Sequence, residues 1–357
     1  MRLEKVETAI VGAGLSGLVS ARSLVSRRES VKLFEARDRV GGRILSLSGA
    51  VSHDIRYDLG PAWVWPHNAR MLKLVADLDL PLMRQHSAGR LVFQDQNGLI
   101  RRDLDFATMG EALRLPGGLA RLTDKLAADL PAGAVLLEHA VTGLDVSEDG
   151  ILLTGSAADG AFGFLADRVV LAMPPRLVSA RIRFRPALPE GFSKMLDAVP
   201  TWMAGHAKFV AIYERAFWRD LGLSGDAISH RGPLFEIHDA SPDVDASREA
   251  ALFGFVAPGR GGSDGDDEPL ERDAVAHLVE LFGPEAAHPV RVHLVNWAKQ
   301  PETATSLDVP DLSVHPRYRQ IGLDADPWQG RVLFSGTETA PENGGFLEGA
   351  LEAAERI

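Results

Sequence analysis

The sequence predicts an α/β fold of two intertwined domains, a Rossmann-like nucleotide-binding domain interrupted by a smaller α+β domain. Three observations predict it. A Gly-x-Gly-x-x-Gly turn separates the first strand from the first helix, strands and helices interleave along the chain, and a further strand, glycine turn and helix close it. At 357 residues the chain is long for one domain, since a domain takes roughly 150.

Composition narrows the function classes. Hydrophobic residues are 45% and charged residues 24%, values of an ordinary globular protein that favour neither a disordered nor a fibrous class. The net charge of -11 argues against nucleic acid or anionic lipid as a partner of the whole chain. With no cysteine there is no disulfide, thiolate metal site or redox thiol pair. No metal site is expected. No apolar run approaches the roughly 20 residues of a membrane helix, and strand character begins within a few residues of Met1. The expected location is cytoplasmic, away from the membrane.

In chain order, Val6 to Val11 is rich in β-branched residues, Gly12 to Gly17 reads as a turn, Leu15 to Ser26 has helical spacing, and Val31 to Glu35 reads as a second strand. Further strands are expected at 134–138, 151–154, 168–173, 206–213, 290–295 and 331–335, and helices at 69–78, 118–130, 272–282 and 346–357. The Gly-rich acidic stretch Pro258 to Asp267 reads as a surface loop.

The first turn carries chemistry. In TAIVGAGLSG, Gly12 permits the tight turn, Gly14 lets a pyrophosphate approach the backbone, and Gly17 lets helix and strand pack closely. Helix-terminal amides then face the phosphates. Glu35 ends the next strand 18 residues after Gly17, where a carboxylate accepts hydrogen bonds from a ribose. The continuation EARDRVGGR adds paired glycines for close backbone approach and arginines that can meet phosphate oxygens.

Here the sequence resembles the flavin-containing amine oxidase family, the monoamine and polyamine oxidases and their bacterial relatives. The resemblance rests on the glycine turn, Glu35 and RVGGR at one end, and on GRVLFSGTETAPENGGFLEGALEAAERI at the other. It implies a non-covalently held FAD in contact with Gly12, Gly14, Gly17, Glu35, Arg37, Gly41, Gly42 and Arg43. It further implies contacts from Gly60, Pro61 and Ala62 in YDLGPAWVWP, from Val141, from Ala172 in LAMPP, and from Trp297, Gly336, Glu338, Gly345, Phe346 and Leu347. The cofactor domain is expected to comprise residues 1–75, 113–187 and 296–357, and the substrate domain residues 76–112 and 188–295.

The same resemblance places Lys208 as the catalytic lysine that holds a water near flavin N5, with Trp63 facing the substrate and Phe346 at one wall of an aromatic cage. If residues 206–213 form a strand, His206, Lys208, Val210 and Ile212 share one face. An ammonium among apolar neighbours is costly unless paired or hydrated. A solvated lysine on an edge strand is the competing reading, as a core histidine is for His206. No aromatic residue stands at the expected second cage position after Trp297.

The expected reaction is oxidation of a small-molecule amine by hydride transfer from its α-carbon to flavin N5, with molecular oxygen as second substrate and hydrogen peroxide as product. Two alternatives remain open at this point. One is a flavin desaturase or dehydrogenase acting on a C–C bond with another acceptor, and the other is a flavoprotein without catalysis. The sequence carries no signal of oligomeric state.

Overall fold

A computed structural model describes residues 4–51, 54–242, 249–256, 267–309 and 314–357. Residues 258–266 of the expected acidic loop lie outside the described residues.

The strand Glu4–Val11 lies inside the first sheet, and its second half, from Thr8 to Val11, is buried on both faces. Ile10 enters one apolar cluster with Leu18, Leu33, Leu122 and Leu351, while Ala9 and Val11 enter the other with Phe34, Val169 and Trp328. The strand pairs in parallel with Val31–Phe34 on one side and with the end of the long strand Gly160–Leu171 on the other. Val135–Leu136 extends the sheet in parallel beyond Val31–Phe34. Val332–Phe334 adds in parallel to Val169–Leu171, so residues more than 300 positions apart share one sheet. The first half of Gly160–Leu171 instead pairs antiparallel with Gly150–Ala157, which pairs antiparallel with Ala140–Ser147. One strand thus joins a meander to the parallel sheet.

Helices cover one side of that sheet. Leu15–Ser26 buries Leu15, Leu18, Ala21 and Leu24, and Ala120–Ala128 and Leu347–Ala354 contribute to the same cluster. The amphipathic spacing read in the sequence is the spacing of these buried residues.

The second sheet has strand order Arg291–Asn296, Ala207–Tyr213, Ala250–Val256, Leu234–Asp239, Leu223–Ser229, Arg90–Gln94 and Ile100–Leu104. One face packs on the helix Glu268–Phe282 through Phe209, Leu252, Ile237, Leu278 and Phe282. The other face, with Val210, Ile212 and Phe253, packs on Tyr57, Leu59 and Ala62, the stretch leading into Trp63. Ala207–Tyr213 is flanked on both sides by paired strands and is buried throughout. It is an interior strand, which removes the solvated edge lysine as an account of Lys208.

Among the described residues, no helix is long and apolar enough to cross a membrane.

Candidate active site

The glycine turn has the geometry its spacing implies. Gly12 has φ +104°, and a Cβ there would lie 2.6 Å from the Ala172 carbonyl oxygen. A Cβ on Gly17 would lie 2.0 Å from the Gly12 oxygen, so only glycine lets helix and strand approach this closely. Gly14 differs: a Cβ there would meet nothing within 4 Å. The turn is closed on its protein side and open beside Gly14.

That opening has the donors an anion needs. Gly14 caps the helix Leu15–Ser26 without a side-chain hydrogen bond, and no acidic residue stands in the first turn. Glu35 is buried, its Oε2 accepting the Ala13 amide at 2.8 Å and its Oε1 the Arg37 amide at 3.0 Å. Each oxygen retains a lone pair for a ribose hydroxyl.

The RVGGR segment folds back over this turn. The Gly41 amide donates to the Ala13 carbonyl at 2.8 Å, and a Cβ on Gly42 would lie 3.3 Å from the Gly14 Cα. Arg37 reaches Thr303 Oγ1 at 2.7 Å. Arg43 extends to Glu338 of the closing segment, 2.6 Å from Oε1. Glu338 is 0% exposed, and its Oε2 has no hydrogen-bond partner. Native proteins leave few buried polar atoms unmet, so Oε2 marks a position for a ligand donor.

Residues from both ends of the chain converge on this turn. Ser16 and Ser335 hydroxyls are 2.7 Å apart, and the Ser16 hydroxyl also contacts the Ser335 carbonyl. The Ala172 amide donates to the Val11 carbonyl. Gly336 sits against Met173, Gly345 has φ +84°, and Leu347 begins the last helix. Val141 packs in the apolar cluster containing Val11 and Phe34. Trp297 Nε1 donates to the Leu59 carbonyl at 3.0 Å, just before Gly60, Pro61 and Ala62.

Lys208 is 2% exposed, and its Nζ donates to the Gly60 carbonyl at 2.9 Å. It stands over the Phe253 ring at 4.0 Å and near Phe255 at 5.4 Å. Burial pushes its pKa down to about 7, although the Asp58 charge opposes this and the Arg114 charge assists it. At neutral pH the nitrogen is therefore poised between amine and ammonium. His206 lies one residue before the strand, where its carbonyl accepts the Trp297 amide.

Trp63 completes this wall, its ring centroid 5.3 Å from Phe253 and 6.3 Å from Phe255. Its Nε1 donates to Gln85 Oε1 at 2.9 Å, and Gln85 Nε2 donates to the Asp239 carbonyl at 2.7 Å. Sequence reasoning missed Phe253 and Phe255. Their alternation in ALFGFV is a period-two signal, weakened by Gly254 and the preceding small residues.

Phe346 is 52% exposed at the end of the closing segment. The His315 ring lies flat on it, with centroids 4.7 Å apart and planes 4° from parallel. That spacing is ring-on-ring contact and leaves no width for an amine between them. His315 covers Phe346 and does not form the far wall of a cage.

Comparison with known proteins decides the family. The profile of the flavin containing amine oxidoreductases matches residues 15–105 and 96–357. The chain belongs to this family. The Mycobacterium tuberculosis flavin-containing monoamine oxidase AofH is 28% identical over 450 aligned positions, covering 98% of this chain and 95% of the relative. Amine oxidase A of Equus caballus is 24% identical, covering 98% and 84%. Among solved structures, a putrescine oxidase double mutant superposes with TM-score 0.80 at 21% identity, covering 99% and 98%. Cyclohexylamine oxidase from Brevibacterium oxydans superposes with TM-score 0.77 at 21% identity, covering 98% and 97%. These structures share the fold.

A member of this family uses flavin, and the open turn, Glu35 and the unmet oxygen of Glu338 fit FAD. With no cysteine, attachment through a cysteine sulfur is impossible.

Proposed function

We propose that the protein oxidises amines, with residues 1–75, 113–187 and 296–357 holding FAD and residues 76–112 and 188–295 shaping the substrate cavity. The observation that carries this reading is Lys208, a buried amine-bearing side chain fixed on the Gly60 carbonyl and walled by Phe253, Phe255 and Trp63. A lysine left there by accident would be expensive, and its chemistry explains its retention.

FAD, when bound, supplies the hydride acceptor and the subsequent reaction with oxygen that gives peroxide. The protein's part is positional. Gly12, Gly14, Gly17, Glu35, Gly41, Gly42 and Arg43 hold the nucleotide half, and Gly60 to Ala62, Ala172, Trp297, Gly336, Glu338 and Gly345 to Leu347 line the ring half. Trp63 presents an apolar face to a neutral amine, Phe346 borders the site beneath the His315 ring, and His206 stands close to the Lys208 strand. Lys208 Nζ can hold or release a proton near neutral pH, which suits it to retain water beside the reacting groups. A cytoplasmic setting accords with the composition.

The test is spectroscopic. Protein purified with FAD should be yellow, should bleach when mixed anaerobically with a suitable primary amine, and should form peroxide when oxygen is readmitted. Protein that cannot take up FAD, or a flavin reduced by dithionite and by no amine, would refute the proposal.

A further inference from the structure

Three charged side chains, Lys208, Arg114 and Asp58, are buried near one another, and the steps above use only the first. Arg114 turns its guanidinium to backbone, donating to the Ala240 carbonyl at 2.7 Å and the Ser241 carbonyl at 2.9 Å. Lys208 donates to the Gly60 carbonyl. Neither cation has a carboxylate within ion-pair distance among the described residues. Asp58 stands two residues before Gly60, and two residues of extended chain span at most about 7 Å. Its charge strengthens the hold of both Lys208 and Arg114 on their protons.

Asp58 also has a structural task, which occupies one oxygen. Oδ1 accepts the Ser46 hydroxyl at 2.5 Å and the Leu119 amide at 2.8 Å, while Ser46 Oγ accepts the Ala120 amide at 3.0 Å. Together they satisfy amides at the start of the helix Ala120–Ala128. Oδ2 accepts no hydrogen bond among the described residues. A neutral asparagine would serve a helix start as well as a carboxylate does, so the cap does not explain the charge. Burial makes the Asp58 carboxyl hold its proton to higher pH than usual, opposed by the Ser46 bond, Lys208, the Leu119 bond and Arg114.

Other titratable groups near Lys208 are engaged elsewhere. Val295 and Phe255 flank it in register, and Phe253 lies beneath its nitrogen. On the same sheet face His293 and Arg291 bond the carbonyls of Ser48 and Gly49. One strand beyond the phenylalanines, Glu236 and Asp226 hold the His238 ring between them. His206 precedes the strand, and Tyr57 packs below it beside Asp58. The charges that act on Lys208 are those of Asp58 and Arg114, with opposite signs.

Reduction of oxygen to peroxide builds negative charge on oxygen, which an ammonium beside it stabilises and a neutral amine does not. We infer that Asp58 is a positioning residue for the oxygen reaction, its carboxylate being the countercharge that keeps Lys208 protonated within an apolar wall. The inference rests on the amine-oxidising reading, in which Lys208 serves oxygen. Arg114 limits the effect, so the lysine stays close to neutrality and does not become a permanent ammonium.

The test uses the holoenzyme. Lysines labelled with 13C at Cε, with Lys208 assigned by its loss in Lys208→Met, report the titration by NMR. In Asp58→Asn the Lys208 signal should titrate about 1 to 2 pH units lower, the effect of removing one interior charge at this range. The pH at which reoxidation by oxygen slows should move down equally, while anaerobic bleaching by amine keeps its profile. In a Lys208→Met background Asp58→Asn should change reoxidation by less than about twofold, whereas a structural fault would slow both backgrounds alike. Lys208→Met also gives the reciprocal reading with the helix start intact: the Asp58 carboxyl, labelled at Cγ, should titrate about 1 to 2 units higher. A lysine titration unmoved in Asp58→Asn, or an Asp58 titration unmoved in Lys208→Met, overturns the inference. If both titrations shift and neither variant slows reoxidation, the oxygen role of Lys208 fails and the charge coupling stands.

Discussion

A Gly14→Val variant should fold normally and purify colourless. Gly14 has φ -71° and ψ 179°, a conformation open to any residue, and its added Cβ would meet nothing within 4 Å. The fold therefore loses only the modest preference for glycine over valine at a helix N-cap, about 1 kcal/mol. The space that accepts the side chain is, however, the space through which a pyrophosphate reaches the helix-terminal amides. We expect FAD affinity to fall on the order of 100-fold, equivalent to about 2.7 kcal/mol.

Gly17→Val makes the contrast. Its Cβ would collide with the Gly12 oxygen at 2.0 Å, so this variant should lose the fold along with the flavin. Flavin absorbance measured against total protein, beside circular dichroism and thermal melting, distinguishes the two. A Gly14→Val protein that retains full flavin stoichiometry would place the pyrophosphate elsewhere.

The contrast also shows which parts of the molecule were legible. Glycine spacing between a strand and a helix is a local pattern with a local cause, and the helix Leu15–Ser26 falls where its apolar spacing placed it. The strands Val31–Phe34 and Val332–Phe334 were likewise readable as short, largely apolar segments, interrupted in the first only by Lys32. Most of the second sheet was not. Leu223–Ser229 reads LSGDAIS and Leu234–Asp239 reads LFEIHD, neither with a clean period of two, because the wall they form is polar in part.

Leu223–Ser229 lies between Leu234–Asp239 and Arg90–Gln94, and the second of these partners, more than 100 residues earlier, leaves no mark in a short window. The Asp226, His238 and Glu236 cluster was hidden for a different reason: its members are close in sequence but meet only when two strands align in one register. Lys208 lay between these cases. Its apolar neighbours were visible, but the Phe253 and Phe255 rings beneath its nitrogen come from the adjacent strand.

Replacing Lys208 by methionine should separate stability from activity. In the folded protein the Lys208 pKa stands near 7 against 10.5 ordinarily, so between these values the unfolded chain binds the extra proton. Stability must then rise with pH across that window, by up to about 1.4 kcal/mol per unit. The penalty for the buried charge is full below pH 7, at most about 5 kcal/mol, and is gone above pH 10.5. Methionine fills similar apolar space without this penalty, but it leaves the Gly60 carbonyl without its donor, which costs about 1–3 kcal/mol.

The Met variant should therefore be the more stable protein at pH 6 and the less stable one near pH 10, with the two denaturation curves crossing between. Parallel pH profiles would mean that Lys208 keeps its ammonium when folded. The kinetic effect runs the other way. If the proton-carrying nitrogen serves the oxygen reaction, reoxidation should slow on the order of 100-fold, a magnitude typical of one positioned proton-transfer group, while anaerobic bleaching by amine changes much less. Rapid mixing of amine-reduced protein with oxygen measures the first, and mixing of oxidised protein with amine measures the second. Equal slowing of both would make Lys208 a packing element of the cavity wall, and unchanged reoxidation would remove it from the oxygen chemistry.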